Sequence, residues 1–410
     1  MSRLLFLLTP QQTWSVLSEH VAPLPDGALP LGAAFGHVLA EPVCADRDLP
    51  PADRSAVDGF AVRAADLANT PVTLQVIGEI AAGSPAAPVV VRGTCARIFT
   101  GANVPPGADS VVMIESTRED VPGRVTFAVP ERQGANVLRC GENARQGSEL
   151  VPAGRLLGAM HIGVCAAAGR TEVRVVRKPR VALITTGREL LDPGMVAGAH
   201  QERDSNGPML AATLAAGGFP VAFAARVSDD SEAIVRTLHD ALSTTDAVVL
   251  SGGVSVGAYD FVPAAVTAVR ARTMVHGVAM KPGKPFLFAL SPKGQPIFGL
   301  PGNPLSAATG LHEFVLPALR LSSGWPESEC RPLVRAHLRE AIATKAGRQR
   351  YVLATLTWAF SGPEVTAVPS QSSADLAAGA RADGAIVVPA DARGLDAGAR
   401  VDFRPWRMWP

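Results

Sequence analysis

Between about residues 178 and 325, short apolar runs alternate with amphipathic segments, and this alternation constrains the fold more than any other feature. The runs RVALITT, VAFAARV, DAVVLSGG, PFLFAL and PIFGL are mostly apolar on both parities, the mark of strands buried on two faces. Four intervening stretches, PMLAATLAAGG, EAIVRTLHDAL, FVPAAVTAVRA and PLSAATGLHEFVLPALRL, carry apolar residues at helical spacing. The pattern predicts a parallel sheet covered by helices on both faces.

The flanking regions differ in texture. Trp14, Leu17 and Val21 predict an N-terminal helix, and a Pro-bounded segment over 31–39 predicts a second. From 49 to 148 short β-like runs (TLQVIGEI, SVVMIE, VTFAVP) are separated by turn residues. Leu156, Met160, Val164 and Ala168 suit one helix face and are followed by strand-like TEVRVV. After Ser322-Ser323-Gly324 the chain turns β-like again. The predicted architecture is multidomain α/β plus β. It comprises an N-terminal helical linker domain (1–48 and 149–177), an inserted β-rich domain (49–148), the α/β domain (178–325) and a C-terminal β domain (326–410).

A charge balance of 38 Lys+Arg against 37 Asp+Glu gives no long-range attraction to nucleic acid or an anionic membrane, so any bound anion must be held by local groups. The 39 Gly and 34 Pro lack a triplet period, which excludes collagen, and 47% hydrophobic residues exclude a disordered chain. Five scattered cysteines, none spaced CxxC, encode neither a disulfide framework nor a structural zinc site. The apolar run Leu4–Leu8 is too short for a signal-peptide core, and no stretch offers the roughly 20 apolar residues of a membrane span. A soluble, cytoplasmic protein is the expectation.

In an open parallel sheet ligands bind beyond the carboxyl ends of the strands. The loops expected there are Thr185-Thr186-Gly187-Arg188-Glu189, Asp204-Ser205-Asn206-Gly207, Val227-Ser228-Asp229-Asp230, SGGVSVGAYD (251–260) and GLPGNPLS (299–306). Gly252, Gly253 and Gly257 let backbone N–H groups approach a phosphate. There is no GxGxxG and no GxxxxGK[ST]. Lys281-Pro282-Gly283-Lys284-Pro285 sets two ammonium groups on a proline-stiffened stretch at a strand entrance, either an anion site or a solvated turn. Glu189, Asp229, Asp260 and Asp204 share the same edge, where carboxylates facing a phosphorylated ligand call for a hard cation such as Mg²⁺. For Asp204 and Asp229 helix capping is an equal alternative.

SAVDGFAV, RIFTGANVPPGADSVVMIE, RVALITTGREL, DSNGPML, LSGGVSVGAYDFV, VAMKPGKP and FGLPGNPLSA occur here in the order found in the MoeA family, the molybdopterin molybdenumtransferases, which includes the gephyrin E domain. The resemblance covers essentially the whole chain. It implies an elongated molecule whose central domain is similar to molybdopterin adenylyltransferase and whose C-terminal domain is barrel-like. It further implies Mg²⁺-dependent insertion of molybdenum from molybdate into adenylylated molybdopterin with release of AMP. A homodimer with an active-site cleft between subunits and molybdopterin adenylyltransferase as upstream partner are likewise implied, with a non-catalytic pterin-binding or scaffold protein as the alternative.

By motif the resemblance assigns catalytic roles to Asp58, Thr100, Glu189, Asp229, Asp260, Lys281 and Lys284, with Mg²⁺ at Glu189, Asp229 and Asp260. Substrate contacts fall to Ser251, Gly252, Gly253, Ser255, Gly257, Pro301, Gly302, Asn303, Pro304 and Ser373. Two positions depart from the family. Gly277 stands where many members carry a basic residue, leaving His276 as the only adjacent substitute. Asn143 replaces the acidic residue of a Gly-Glu-Asp turn.

Overall fold

The computed structural model describes residues 7–85, 87–255 and 261–406. At its centre lies a six-stranded sheet in the order Val221–Val227, Val181–Thr186, Ala247–Ser251, Pro296–Leu300, Leu287–Leu290, Arg272–His276. The first four strands are parallel. Side chains of successive residues enter different cores: Val181 and Leu183 pack with Leu210, Leu214 and Phe314, whereas Ala182 and Ile184 pack with Ile234, Leu238 and Val266. Helices therefore cover both faces, as the apolar runs require.

The last two strands depart from the parallel expectation. Leu287–Leu290 and Pro296–Leu300 are antiparallel, because residues 291–295 are too few for a crossover, which takes about a dozen or more. The turn is held by Ser291, which bonds Gln295 through backbone and side chain. Arg272–His276 adds an antiparallel edge strand that hydropathy did not mark, since Arg272 and Thr273 face solvent.

The N-terminal helix Pro10–His20 is closed by a capping box between Thr9 and Gln12. It buries Trp14 and Leu17 in the core of the central domain rather than against 149–177. The linker core instead gathers Leu39, Val43, Val151, Cys165 and Val175, joined by the antiparallel pair Asp26–Pro30 and Glu172–Val176. The helix expected over 31–39 is a single 3₁₀ turn, Leu31–Ala33, followed by extended chain in which Val38 bridges Leu156 and Leu39 bridges Val175. Gly36, at φ +71°, ends the turn in a conformation that favours glycine. Leu156 consequently precedes the helix Ala159–Ala167, and Met160, expected on its buried face, is 81% exposed.

The inserted region forms a six-stranded sheet, Ser110–Met113, Gly59–Val62, Thr94–Ile98, Val72–Ile80, Arg124–Phe127 and Thr117–Val121. In the C-terminal region Gln349–Ala359, Gly362–Ala367, Val334–Leu338, Arg400–Pro405 and Gly384–Val388 close into a barrel, Gln349–Ala359 pairing with both its neighbours in the ring. All five cysteines are free thiols. Among the described residues no helix is long and apolar enough to cross a membrane.

Candidate functional site

The carboxyl ends of the four parallel strands, Val227, Thr186, Ser251 and Leu300, lie along one edge of the central sheet. Leu287 pairs with Gly299 and His276 with Leu287, so the 277–286 loop opens on the same edge. Across the sheet the loops run Asp229, Glu189, Gly252-Gly253, Pro301–Pro304, Lys281–Lys284, from carboxylates to ammonium groups. Four strand spacings of about 4.8 Å separate the ends of this row, a span of about 19 Å.

At the acidic end, Arg188 donates to Asp229 twice, from its backbone N to Oδ2 at 3.4 Å and from its guanidinium to the carbonyl at 3.3 Å. Glu189 is exposed on the adjoining loop. Capping of the next helix falls to Asp230, which accepts from Glu232 N at 3.2 Å, and not to Asp229. Asp204 stands one residue before the cap position, Ser205, and binds the first turn of its helix: buried at 8% exposure, it accepts from Gly207 N at 2.8 Å and Thr185 Oγ1 at 2.7 Å, which uses both its oxygens inside the fold. Among the described residues no group of three or more His, Cys, Asp or Glu side chains converges on a metal position. Asp260 and Gly257 lie outside the described residues. The Glu189 and Asp229 loops alone suit Mg²⁺, which takes one or two carboxylates with phosphate oxygens and water.

In the middle, Gly252 sits at φ +101°, and a Cβ there would lie 2.3 Å from the Thr186 carbonyl. Only glycine passes so close. Asn206, which the sequence reading did not single out, ties three loops together. Its Nδ2 donates to Ser251 Oγ at 2.9 Å and to the Gly302 carbonyl at 2.7 Å, while Ser251 Oγ donates to the Pro301 carbonyl at 3.2 Å. Beyond Gly302 a Cβ would meet nothing nearer than Gly252 Cα at 3.9 Å, and Ser255 is half-buried on the next turn.

At the basic end a cleft of about 800 Å³ is lined by Lys281, Lys284, Pro301, Asn303 and Ser373. Asn303 Nδ2 donates to Ser373 Oγ at 2.8 Å, and the Ser373 carbonyl accepts from Leu305 N at 3.0 Å, just past Pro304. The opposite wall comes from the barrel and adds Arg348 and Arg350, which the sequence reading did not select. Lys281 pairs with Arg350 in a short parallel ladder between the loop and the barrel. That contact joins residues about seventy positions apart, so no local pattern announces it. At Gly277 the backbone is at φ +91°, which favours glycine, and a Cβ would come within 2.7 Å of Leu7 Cδ2, so a basic side chain here requires a strained backbone and a shift of Leu7. His276 does not take its place in the cleft: Nε2 lies 3.0 Å from the Val254 carbonyl, which only accepts, so this nitrogen carries the proton and holds the ring against the glycine loop.

Asp58 and Thr100 stand together on the inserted sheet. Asp58 Oδ1 accepts from Thr100 N and Thr100 Oγ1, both at 2.7 Å, and these two bonds hold the carboxyl below its ordinary pKa. Both residues are exposed, and no described hydrogen bond or ion pair links them to the central edge of the same chain. Asn143 is also exposed, its N–H bonded to the Leu49 carbonyl at 2.9 Å.

Comparison with known proteins covers the same regions. Residues 8–169 match the MoeA N-terminal region (domain I and II), 182–321 a probable molybdopterin binding domain, and 335–406 the MoeA C-terminal region (domain IV). A molybdopterin molybdenumtransferase of Staphylococcus aureus is 34% identical over 384 residues, 93% of this chain and 91% of that protein. One from Staphylococcus epidermidis is 34% identical over 381 residues, 91% and 89% of the two chains. The crystal structure of a molybdopterin biosynthesis moeA protein from Pyrococcus horikoshii superposes with a TM-score of 0.83 at 26% identity, covering 97% of this chain and 100% of that one.

Proposed function

This chain belongs to the MoeA family, with a role in molybdenum cofactor biosynthesis, and we propose that its sheet edge transfers molybdenum from molybdate to adenylylated molybdopterin and releases AMP. The observation that carries this reading is the ordered row of loops, with carboxylates at one end, close-approach glycines in the middle and a lysine and arginine cleft at the other. A phosphoanhydride-linked pterin nucleotide matches the length and polarity of that row. Lys281 and Lys284, backed by Arg348 and Arg350, hold the tetrahedral molybdate dianion. Gly253 and Ser255 offer N–H and hydroxyl donors to the phosphates, while Ser251, bonded to Pro301 and Asn206, and Gly252, bonded to the Leu300 carbonyl, hold that loop in place. Pro301, Gly302, Asn303, Pro304 and Ser373 shape the wall between them.

Glu189 and Asp229, with Asp260, would hold Mg²⁺, which when bound neutralises phosphate charge. The chain's own share is positioning and charge stabilisation, with water as the attacking group. Asp58 and Thr100, exposed on the inserted domain, would meet the sheet edge of a partner subunit in a homodimer. Molybdopterin adenylyltransferase is the upstream supplier of the substrate, and the reaction is cytoplasmic.

The test is AMP release from adenylylated molybdopterin with Mg²⁺ and molybdate. Lys281→Ala and Lys284→Ala should each slow release at least about tenfold, the loss of one charge-assisted contact, while leaving the melting temperature in place. Full turnover in both variants removes the lysines from the mechanism. Light scattering tests the dimer, and Thr100→Ala should then lower turnover without changing dimer mass.

A further inference from the structure

The helix that Asn206 opens, Asn206–Ala216, runs away from the sheet edge for about 16 Å and ends at a second cavity. This cavity, of about 410 Å³, lies between that helix, the helix Leu316–Ser322 and the strand Arg400–Pro405, and it shares no residue with the cleft described above. Ala212, Ala216 and Gly217 form a low wall that leaves it open to solvent.

Its polar lining includes Arg320, Arg404, His312 and Thr213, and among the described residues no carboxylate lines it. Arg320 and Arg404 are 9% and 5% exposed. Arg404 donates through Nε to Glu313 Oε2 at 3.0 Å and through Nη1 to the Pro332 carbonyl at 2.7 Å. Arg320 donates through Nη1 to the Cys330 carbonyl at 2.9 Å and has no carboxylate partner among the described residues. Glu313, the buried acid behind the cavity, is shared between Arg404 and Arg331. Glu313 thus serves Arg404 and the half-buried Arg331, and leaves the buried Arg320 without an anion, which is costly. Burial, followed by the charges of Arg320 and Arg404, holds the pKa of His312 down to about 3, so its ring adds no charge.

The remaining walls are flat and apolar. His312 stacks on Trp406 with ring centroids 5.4 Å apart and planes 5° from parallel, beside Leu316 and Pro405. His312, Leu316 and Arg320 are four residues apart in turn. The π turn Leu311–Val315 inserts the extra residue that keeps such a series on one side of the helix.

We propose that this cavity binds a small organic anion whose phosphate or carboxylate head sits between Arg320 and Arg404 and whose flat apolar body lies against Trp406 and Leu316. The ligand neutralises the charge excess, and the apolar walls select it over inorganic ions. The site is independent of the molybdenum-transfer reading.

The test is calorimetric titration of the full chain carrying Lys281→Ala, Lys284→Ala and Arg350→Gln, which weakens the other anion cleft, with phenyl phosphate and, separately, benzoate. The two arms distinguish the head group. One-to-one binding of at least one probe is expected, tighter than that of inorganic phosphate. Arg320→Gln and Ala216→Phe should each weaken it by about tenfold or more. The proposal is overturned if neither probe binds, if inorganic phosphate binds as tightly, or if binding survives either substitution. Should Arg320→Gln fail to fold, Ala216→Phe, which leaves both guanidiniums in place and fills the open side, decides alone.

Discussion

Replacing Asn206 by Asp changes one NH₂ to an oxygen at the point where three site loops meet. In the structure Nδ2 donates to Ser251 Oγ and Gly302 O. The new oxygen faces a carbonyl at that distance and a hydroxyl that must turn its proton away from Pro301. Asn206 is 8% exposed, and the carboxylate of Asp204 lies two residues away, so the new acid is disfavoured in its charged form. A native pKa raised by about 2 units above the unfolded value costs about 3 kcal/mol at neutral pH.

The sign follows from linkage: the folded state holds its proton longer than the unfolded one, so the penalty is complete above the raised folded value. It fades as pH falls towards the unfolded value of about 3.9. At about 2–4 °C per kcal/mol for a domain of this size, Asn206→Asp should melt about 6–12 °C below the parent at pH 8 and within about 4 °C of it at pH 4.5. The assay is thermal unfolding by circular dichroism across that range. A gap that does not change with pH, or no gap at all, would refute the reasoning.

Other substitutions probe different parts of the molecule. Gly252→Ala drives a Cβ into the Thr186 carbonyl at a φ that favours glycine, and should cost about 2 kcal/mol or more; Gly253→Ala, whose nearest contact is 3.3 Å, should cost less in the same melt. His312, with a folded pKa of about 3 against an ordinary 6.5, stays neutral when the unfolded chain protonates. Stability should therefore fall as pH drops from 6.5 towards 3, by up to about 1.4 kcal/mol per unit. His312→Phe should flatten that slope, and an unchanged slope would assign it to other groups. Arg350→Gln should weaken molybdate binding by about tenfold in calorimetry with little change in melting, since the residue lines the cleft and, among the described residues, its side chain bonds only to the Lys345 carbonyl.

The central domain was legible because its parallel strands are apolar on both parities, a pattern that few other arrangements tolerate. The loops at its edge were legible for the same reason: once the sheet direction is known, the positions of Glu189, Asp229, Ser251 and Lys281 follow. What escaped was what depends on partners far along the chain. Arg272–His276 looks polar because it is an edge strand, and the segment 31–39 has a helical spacing that Gly36 and the bridges to Leu156 and Val175 override. Arg348 and Arg350 sit in an ordinary β run, and only the ladder of Gln349–Arg350 with Met280–Lys281 brings them to the lysines. Asn206 stands where a helix begins, and its sequence signal is the same whether it caps a helix or fastens three loops.

The ladder between Met280–Lys281 and Gln349–Arg350 makes the basic cleft a seam between two domains rather than a hollow within one. An oxyanion held by cations on both sides is then also a clamp on domain orientation. By reciprocity, whatever factor the bound anion adds to the closed arrangement, the closed arrangement returns to the affinity for the anion. If the cleft holds molybdate as proposed, loading and the angle of the barrel are one equilibrium, and a mutation on the outer face of the barrel that tilts it can empty the cleft without touching a single residue that lines it.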